Sequence, residues 1–438
     1  MRGCYGSRDE PIMRLDLDKT LVMVLAGGRG SRLETLTNIR AKPAVTFGGK
    51  YRIIDLVLSN LVNSGLFKIK VLTQFKSNSL INHLHDAWYM NRAFGQYVDP
   101  VPAQMATGEV WYQGTADAIY QNLNLIYDED PVRVLIFGGD HIYKMDVREM
   151  IAHHLRSGSD LTVSAIPVPI EKANELGVME VDENWRIIGW EEKPANPKPM
   201  PGNPSIALAS MGNYIFETEV MHDILEKDHN DSNSSHDFGK NIIPKMIQSH
   251  KVFAYDFSTN TFPGQQDRER GYWRDVGTIA AYYEANMDLR SVEPVFDLYN
   301  RDWPIRTANL FNPPAKFVFD WESESRRGVA YDSLISAGCI LSGGLVRNSI
   351  LSPGVFVHSF CEIHDSIVMH DVEIGSRARV RNAIIDKYVK IPQGETIGYD
   401  LAKDRQRYFV SPEGIVVIAK VAAEERWQES DYTHVFHE

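Results

Sequence analysis

The chain has 438 residues, which at about 150 residues per domain predicts two or three domains. Hydrophobic residues make up 43% and charged residues 24% of the sequence, so the composition excludes wholesale disorder. The formal net charge of −12, from 46 Lys and Arg against 58 Asp and Glu, argues against a general nucleic-acid binder. It does not exclude a phosphate ligand, because a few cations are enough for one pocket.

The cysteines and the N-terminus indicate the cellular compartment. Cys4, Cys339 and Cys361 are odd in number and have no paired spacing, which favours free thiols in a reducing compartment. Residues 1–20 mix charges of both signs and contain no secretory signal, and the apolar run 21–26 is too short to span a membrane. We therefore expect a cytoplasmic protein without a membrane anchor.

Short apolar runs alternate with helical patterns over residues 21–290. This alternation favours an α/β domain with a mostly parallel sheet. The predicted strands are 21–26, 68–75, 132–140 and 161–168. One helix is predicted over 54–62, and Gly65 ends it. A second helix is predicted in GTADAIYQNLNLI, with Thr115 as its N-cap.

Two further segments follow this α/β domain. Residues 291–330 are rich in proline and lack periodicity, so we interpret them as a linker. From residue 331 to 438 apolar residues recur every six positions, as in Val355, Cys361 and Ile367. This period predicts a hexapeptide parallel β-helix, and an irregular β-sandwich with chance spacing is the alternative. Residues 1–20 form an N-terminal extension without an assignable role.

The first predicted strand runs directly into a glycine-rich turn, AGGRGSRL, at residues 26–33. Backbone N–H groups in such a turn can approach a phosphate closely. Neither GxGxxG nor GxxxxGK[ST] is present, so a dinucleotide fold is poorly supported and a P-loop is excluded. The remaining GGxGxR pattern offers Arg29 and Arg32 to a polyphosphate, although a surface turn with two solvated arginines has the same sequence.

A basic cluster follows at residues 40–55, RAKPAVTFGGKYRIID. Arg40, Lys42, Lys50 and Arg52 lie within it, and Asp55 is its only acid. A local excess of cations in an acidic protein favours a ligand with several negative charges.

Two aspartates and one lysine are candidates for phosphate chemistry. Asp140 ends an apolar strand in FGGD, where ligands bind in open α/β sheets. Asp275 in YWRDVGT is a second carboxylate, and the pair could hold Mg²⁺, although each could instead bind loop N–H groups. Lys193 in EEKP is either a phosphate ligand or an exposed turn lysine.

The order of several motifs resembles that of the ADP-glucose pyrophosphorylases, specifically the branch of the bacterial glycogen pathway. The resemblance covers nearly the whole chain after residue 20. GGRGSRL and KPAV are general sugar-nucleotidyltransferase motifs, whereas the longer segments are more specific. These segments are WYQGTADAIYQN, FGGDHIYKMD, ALASMGNYIF, SSHDFGK, YWRDVGT, WPIRT and PPAKF.

The resemblance implies that ATP and α-D-glucose 1-phosphate react to give ADP-glucose and pyrophosphate for glycogen synthesis. It also implies a Rossmann-like catalytic domain, a left-handed β-helix, Mg²⁺ as cofactor and a homotetramer that binds neither nucleic acid nor membrane. A sugar phosphate is already ionised at neutral pH, so no side-chain general base is required for its attack on the α-phosphorus of ATP. Catalysis then depends on positioning and charge neutralisation.

Roles follow residue by residue from the same resemblance. The catalytic residues are Arg32, Lys42, Asp140 and Asp275, with Asp140 and Asp275 as the Mg²⁺ ligands. The ATP-binding residues are Gly27, Gly28, Arg29, Gly30, Gln74 and Gly114. The glucose 1-phosphate-binding residues are Tyr112, Gly177, Glu192, Lys193 and Ser210, with Lys193 on the phosphate.

The candidate allosteric residues are Arg40, Thr46 and Arg52. The chain departs from the family here, because Ile39 stands where some members have a lysine that binds an activator. Thr46 likewise replaces a histidine found in some relatives. A sugar phosphate or pyruvate as activator and AMP as inhibitor are what the family leads us to expect, and these two departures leave the effector set open.

Three other functions compete with this interpretation. An enzyme that makes UDP-, dTDP- or GDP-sugars would share GGRGSRL and KPAV but not SSHDFGK, WPIRT and PPAKF. A catalytically silent regulatory subunit of the same fold would be expected to lose metal carboxylates or the catalytic arginine, and this chain keeps them. A bifunctional acyltransferase is poorly supported because the predicted β-helix is short.

Overall fold

The structure is a computed structural model that describes residues 4–5, 13–28, 30–105, 111–200, 202–321 and 326–420. The chain divides into two compact units. The first unit comprises Met1–Gly28, Ile54–Trp273 and Leu298–Arg306, and the second comprises Arg29–Ile53, Arg274–Asp297 and Thr307–Glu438. Two segments of the predicted 21–290 domain therefore belong to the second unit.

A nine-stranded sheet forms the centre of the first unit. The strands of this unit are β1 (Thr20–Leu25), β2 (Lys68–Thr73), β3 (Tyr97–Pro102), β4 (Arg133–Gly138), β5 (His141–Tyr143), β6 (Leu161–Pro169), β7 (Gly177–Val181), β8 (Ile187–Glu192), β9 (Ile206–Glu217) and β10 (Val252–Asp256). Strands β3, β2, β1 and β4 are adjacent and parallel in that order, and β9 pairs with β4 in the antiparallel direction. The predicted α/β class with parallel strands at the centre is confirmed.

Helices accompany this sheet, and those within residues 115–129, 218–229 and 243–246 share one buried core with it. The helices are α1 (Ile53–Asn63), α2 (Asn78–Ala87), α3 (Thr115–Tyr120), α4 (Leu123–Glu129), α5 (Val147–Ser157), α6 (Thr218–His229) and α7 (Ile243–Met246). Gly65 follows α1 with a φ of 84°, a left-handed conformation that ends a helix as predicted.

The prediction that Thr115 caps one long helix is wrong. Gly114 occupies the N-cap position of α3, and a separate helix, α4, follows. The Thr115 hydroxyl donates to Asp237 Oδ2 at 3.1 Å and accepts from the Phe238 N–H at 3.0 Å. Its side chain therefore holds a neighbouring loop rather than the start of its own helix.

The second unit contains the β-helix and helices α8 (Ile279–Asp288) and α9 (Leu401–Asp404). The strand β11 (Trp273–Asp275) precedes α8. The coil strands are β12 (Lys316–Val318), β13 (Val329–Tyr331), β14 (Leu334–Ile335), β15 (Ile340–Ser342), β16 (Leu345–Arg347), β17 (Ile350–Leu351), β18 (Phe356–Val357), β19 (Glu362–His364), β20 (Ile367–Val368), β21 (Glu373–Ile374), β22 (Arg379–Arg381), β23 (Ala383–Ile385), β24 (Lys390–Ile391), β25 (Thr396–Ile397), β26 (Phe409–Val410) and β27 (Val416–Ile418).

These strands form three sheets, in which each strand pairs with the strand one coil later. The coil pairs are parallel, and only the terminal β26 pairs antiparallel, with β27. Val357, Ile374 and Ile391 stack in register with side chains that are almost fully buried. The hexapeptide spacing thus predicted the parallel β-helix correctly, and the alternative β-sandwich is wrong. The first coil strand, β12, lies within the predicted 291–330 linker.

Candidate active site

The carboxyl ends of three parallel strands meet at one edge of the sheet in the first unit. Leu25 of β1 lies opposite Leu72 of β2 and Gly138 of β4. The Gly139 N–H donates to the Leu25 carbonyl at 3.0 Å, and Asp140 follows directly with a side chain that is 36% exposed. Because ligands of open α/β sheets bind at this edge, the Asp140 carboxylate is placed where a ligand can reach it.

The predicted ATP-binding glycines follow β1 at the same edge. A Cβ on Gly27 would lie 3.3 Å from Gln74 Cβ, so the turn packs tightly against the residue after β2. A Cβ on Gly28 would meet nothing within 4 Å, which leaves the backbone at Gly28 open. Gln74 Oε1 accepts a hydrogen bond from the Tyr112 N–H at 2.9 Å and so fixes that segment. Arg29 lies outside the described residues.

The segment that leads into α3 is held at two points. The Tyr112 hydroxyl accepts a hydrogen bond from Asn122 Nδ2 at 2.9 Å, and burial raises the pKa of Tyr112. A Cβ on Gly114 would lie 2.2 Å from the His236 carbonyl oxygen, so only glycine fits there. The structure therefore gives Gly114 a packing role that is independent of any ligand.

The Glu192 carboxylate is enclosed by two glycines. A Cβ on Gly177 would lie 2.8 Å from Glu192 Oε2, and a Cβ on Gly239 would lie 2.3 Å from the same oxygen. Burial, followed by the charge of Asp237, raises the pKa of Glu192, and the charge of Lys193 opposes this shift. A fixed, partly desolvated carboxylate of this kind can accept hydrogen bonds from the hydroxyl groups of a ligand.

Ser210 and Tyr214 lie near the Glu192 carboxylate. Ser210 Oγ accepts a hydrogen bond from the Gly212 N–H at 3.1 Å. Burial raises the pKa of Tyr214, the nearby charges of Glu192 and Asp237 raise it further, and its interaction with Ser210 opposes the shift. The structure thus brings Ser210 and Glu192 together around a tyrosine that sequence reasoning did not select, although the motif ALASMGNYIF contains it.

Lys193 has an unusual backbone for a residue other than glycine. Its φ is 50°, in the left-handed region, and its N–H donates to the Leu176 carbonyl at 3.0 Å. This conformation costs about 1 kcal/mol or more and is often found at functional sites. The side chain is exposed, and its ammonium group makes no hydrogen bond or ion pair with the residues that the structure describes.

Two rings lie beside Asp140. The His141 and Trp273 rings are 5.0 Å apart, and His141 Nε2 lies 3.6 Å from Asp140 Oδ1. Within the described part of the chain, His141 Nδ1 and Trp273 Nε1 are buried without a hydrogen-bond partner. Buried polar groups are normally paired, so these two nitrogens are candidates for ligand contacts that the sequence did not indicate.

In the second unit, Asp275 binds two of the predicted catalytic cations. Lys42 Nζ lies 2.7 Å from Asp275 Oδ1, and Arg32 Nη2 lies 3.6 Å from Asp275 Oδ2. The Lys42 side chain is 7% exposed and that of Arg32 is 51% exposed. The structure thus places a buried and an accessible cation at one carboxylate, an arrangement that suits a polyphosphate ligand.

Two glycines make this cluster possible. Gly30 has a φ of 61°, and a Cβ there would lie 2.7 Å from Lys42 Cβ, so glycine is needed for both backbone and packing. A Cβ on Gly277 would lie 3.0 Å from both Arg32 Nη2 and Asp275 Oδ2. Gly30 therefore positions Lys42, whatever its backbone contributes to nucleotide binding.

The candidate allosteric residues also belong to the second unit, but they have other partners than Arg32 and Lys42. Arg40 forms a bidentate ion pair with Asp386, in which both N–O distances are 2.7 Å. Thr46 is 1% exposed, and Arg52 Nη1 donates to the Ala44 carbonyl at 3.3 Å. Arg40 is thus already bound to a carboxylate, and Thr46 is not accessible to a ligand.

Lys387 is a cation that the sequence analysis missed. Burial lowers the pKa of Lys387 well below its usual range, and the charges of Arg52 and Arg40 lower it further. Its ammonium group makes no hydrogen bond or ion pair with the described residues, and it lines a cavity of about 780 Å³ together with Lys390 and Lys420. The only sequence signal was its place next to Asp386 within the β-helix repeat.

Comparison with known proteins defines the class. Residues 21–292 match the family model described as nucleotidyl transferase, and residues 313–418 match the model described as a GlmU-like C-terminal hexapeptide. The protein is thus a nucleotidyltransferase with a hexapeptide β-helix, and proteins of this class generally use a divalent metal ion.

Curated relatives define the family more narrowly. Glucose-1-phosphate adenylyltransferase from Anaeromyxobacter sp. (strain Fw109-5) is 55% identical over 92% of this chain and 98% of its own length. The corresponding proteins from Thermus thermophilus and Corynebacterium jeikeium are 54% and 49% identical, over 92% and 91% of this chain and 98% and 97% of theirs. The chain belongs to the glucose-1-phosphate adenylyltransferase family, also called ADP-glucose pyrophosphorylases, and the resemblance drawn from its motifs is confirmed.

Among the described residues, no helix is both long enough and apolar enough to cross a membrane.

Proposed function

We propose that this chain catalyses the reaction of ATP with α-D-glucose 1-phosphate to give ADP-glucose and pyrophosphate for glycogen synthesis. The observation that carries the proposal is the cluster of Lys42 and Arg32 at Asp275, in a protein whose net charge is −12. Two polyanions must meet for this reaction, and local cations reduce their repulsion. The glucose-1-phosphate adenylyltransferases that align with nearly the whole chain support the same reaction.

We assign the sugar phosphate to the side chains around Glu192 in the first unit. The exposed ammonium group of Lys193, which has no partner among the described residues, is the phosphate ligand. The Glu192 carboxylate accepts hydrogen bonds from the sugar hydroxyls, and the Ser210 hydroxyl donates to them. Gly177 leaves the space in which the Glu192 carboxylate lies, and Tyr112 is assigned to the same substrate from the family resemblance. Because the Lys193 N–H donates to the Leu176 carbonyl, the backbone that carries this side chain is fixed before the substrate arrives.

ATP is assigned to the glycine-rich turn and its cations. The open backbone at Gly28 allows close approach of a phosphate, and Gln74, Gly27 and Gly114 keep the surrounding segments in place. Arg32 and Lys42 neutralise the phosphates, and Arg29 contributes by its place in the same motif. The sugar-phosphate oxygen attacks the α-phosphorus in line and pyrophosphate leaves, so no side chain has to remove a proton.

We also propose that Asp140 and Asp275 hold Mg²⁺. Both are hard oxygen donors, and both carboxylates are partly exposed, at 36% and 21%, so the donor set fits this ion. Bound Mg²⁺ supplies positive charge to the phosphates. Lys42, which already contacts Asp275, adds a fixed cation beside that carboxylate.

Release of pyrophosphate from ATP, UTP, dTTP and GTP, each with glucose 1-phosphate, tests the function directly. We expect turnover with ATP far above that with the other three nucleotides. Preference for another nucleotide would identify a different sugar pyrophosphorylase. No turnover with any nucleotide, in a folded protein that still binds ATP, would identify a silent regulatory subunit. Lys193→Ala, assayed in parallel, controls for contaminating activity.

We further propose a homotetramer with an anionic effector site at Arg52 and Lys387. Lys387 is buried and unpaired beside two arginines, so a bound phosphate or carboxylate would relieve their repulsion. Arg40 takes part through Asp386, and the buried Thr46 acts only by packing. The pyrophosphate assay repeated with fructose 6-phosphate, fructose 1,6-bisphosphate, pyruvate and AMP tests this site, and light scattering tests the assembly.

A further inference from the structure

We propose that the second unit holds an additional binding site for a small hydroxylated oxyanion, in a cavity lined by α8, the segment after it, α9 and the β-helix. Such a ligand carries a phosphate ester or carboxylate together with hydroxyl groups. None of the residues that line this cavity has a role in the proposed reaction or in the effector site described above. The inference therefore does not depend on the proposed function.

The cavity has a volume of about 410 Å³, which is enough for a small metabolite. Tyr283 lies on α8 and Arg290 follows this helix, whereas Asp365, Arg381 and Asn382 lie at the same corner of two adjacent coils of the β-helix. The wall thus offers two guanidinium groups, a side-chain amide and a phenol. Two guanidinium groups in one cavity repel each other, and a bound oxyanion would reduce this repulsion.

Arg290 supplies the strongest indication of a missing partner. Its Nε is buried and donates no hydrogen bond within the described residues, and the guanidinium forms no ion pair there. A buried donor without an acceptor costs roughly 1–3 kcal/mol, more when the group is charged. Guanidinium groups bind phosphate and carboxylate with two parallel hydrogen bonds, so an oxyanion in the cavity that Arg290 lines would give its charge a partner.

A column of basic side chains runs from the cavity along one face of the β-helix. Arg347, His364 and Arg381 are register partners on β16, β19 and β22. They point outward, because the alternating residues Val346 and Ile363 are buried. Adjacent coils lie about 4.8 Å apart, so the three side chains are near neighbours.

This column is not neutralised by the described residues. The structure shows no ion pair for Arg347, His364 or Arg381 among them. Two residues away on the same strand, Arg379 pairs with Glu362 at 3.1 Å, so charge pairing is available on this face but is not used in the column. A positive field that is unpaired in an acidic chain would guide an anion to the cavity.

The carboxylates that line the cavity indicate which groups the ligand carries besides its oxyanion. The Tyr283 hydroxyl donates to the Asp365 carbonyl at 2.6 Å, and Asp365 Oδ1 accepts from Asn348 Nδ2 at 3.2 Å. The second Asp365 oxygen and the exposed Glu413 carboxylate are left to accept hydrogen bonds from hydroxyl groups. Two carboxylates would repel a bare anion, so they favour an anion that also carries hydroxyls.

Modification of arginines by phenylglyoxal, read peptide by peptide by mass spectrometry, tests the site in the unmodified full-length chain. The probes are glycerol 3-phosphate and malate, and potassium chloride at equal ionic strength is the control for screening. At a probe concentration about ten times its Kd, we expect Arg381 to react about tenfold more slowly, with Arg379 unchanged. Protection by glycerol 3-phosphate alone would identify a phosphate ester as the ligand, and protection by malate alone a carboxylate.

Arg290→Gln and Arg379→Gln form the matched pair of variants. We expect Arg290→Gln to abolish the protection of Arg381, and Arg379→Gln to leave it intact. The proposal is overturned if neither probe protects Arg381, if potassium chloride protects it equally, or if protection persists in Arg290→Gln. Because the first measurement uses the wild-type chain, a folding defect in either variant would not leave the proposal untested.

Discussion

Arg40 and Asp386 form a buried bidentate ion pair, although they are 346 positions apart in the sequence. Their side chains are 3% and 0% exposed. Burial removes both groups from water, so the pair is stable only while each charge keeps its partner. The pair therefore joins the segment around Arg40 to the β-helix within the second unit.

Removing one partner of this pair should destabilise the protein strongly. We expect Asp386→Ala to lower the free energy of unfolding by about 3–5 kcal/mol, because Arg40 would remain buried and unpaired. Denaturation by urea measures the change. Glu362→Ala is the matched control, since it removes the exposed pair with Arg379 and should cost less than about 1 kcal/mol. Equal losses in the two variants would show that the buried pair has no special role.

The depressed pKa of Lys387 predicts that effector binding depends on pH. Anion binding requires the protonated lysine, and burial makes this lysine lose its proton at a lower pH than usual. The affinity for AMP or fructose 1,6-bisphosphate should therefore fall as the pH rises, and at a lower pH than titration of an ordinary lysine would produce. Lys387→Arg should remove this fall, because arginine stays charged. The same pH dependence in Lys387→Arg would exclude Lys387 as its source.

Gly28 allows the role of the glycine-rich turn to be separated from its packing. A Cβ there meets nothing within 4 Å, so Gly28→Ala should leave the free energy of unfolding unchanged. If a phosphate approaches this backbone closely, the same methyl group should raise the KM for ATP by about tenfold or more, a cost of about 1.4 kcal/mol. An unchanged KM for ATP would place the phosphates elsewhere.

Lys193 should act on one substrate only. We expect Lys193→Ala to raise the KM for glucose 1-phosphate by about 10–100-fold, because a charged hydrogen bond of roughly 1.5–3 kcal/mol is lost. The KM for ATP should change much less. Lys198→Ala, which removes an exposed lysine paired with Glu180, is the control and should change neither constant. Equal effects of Lys193→Ala on both substrates would contradict its assignment to the sugar phosphate.

Local patterns were sufficient to predict the elements of the fold. Apolar runs gave the parallel strands β1, β2 and β4, and the six-residue spacing gave the β-helix, because both depend on which residues are buried. The Thr115 cap was wrong because the loop at Asp237 competes for its hydroxyl. Such a contact depends on tertiary structure and leaves no periodic signal.

The motifs selected many of the candidate site residues but did not predict the contacts among them. They selected Glu192 and Lys193, but not Tyr214, whose environment depends on where β9 places it. Asp386 and Lys387 were missed because the arginines near them are distant in the sequence, so no spacing rule connects them to Arg40. A single sequence shows which residue types are present, whereas burial and pairing decide which of them are charged and accessible.

The fate of a label at the α-phosphorus of ATP shows whether the sugar phosphate attacks that atom. The protein is incubated with [α-³²P]ATP, glucose 1-phosphate and Mg²⁺, and the products are separated, with Asp140→Asn as the inactive control. We expect all transferred label in ADP-glucose, together with an equal amount of unlabelled pyrophosphate. Labelled ADP and free phosphate without ADP-glucose, or equal turnover in Asp140→Asn, would contradict the account.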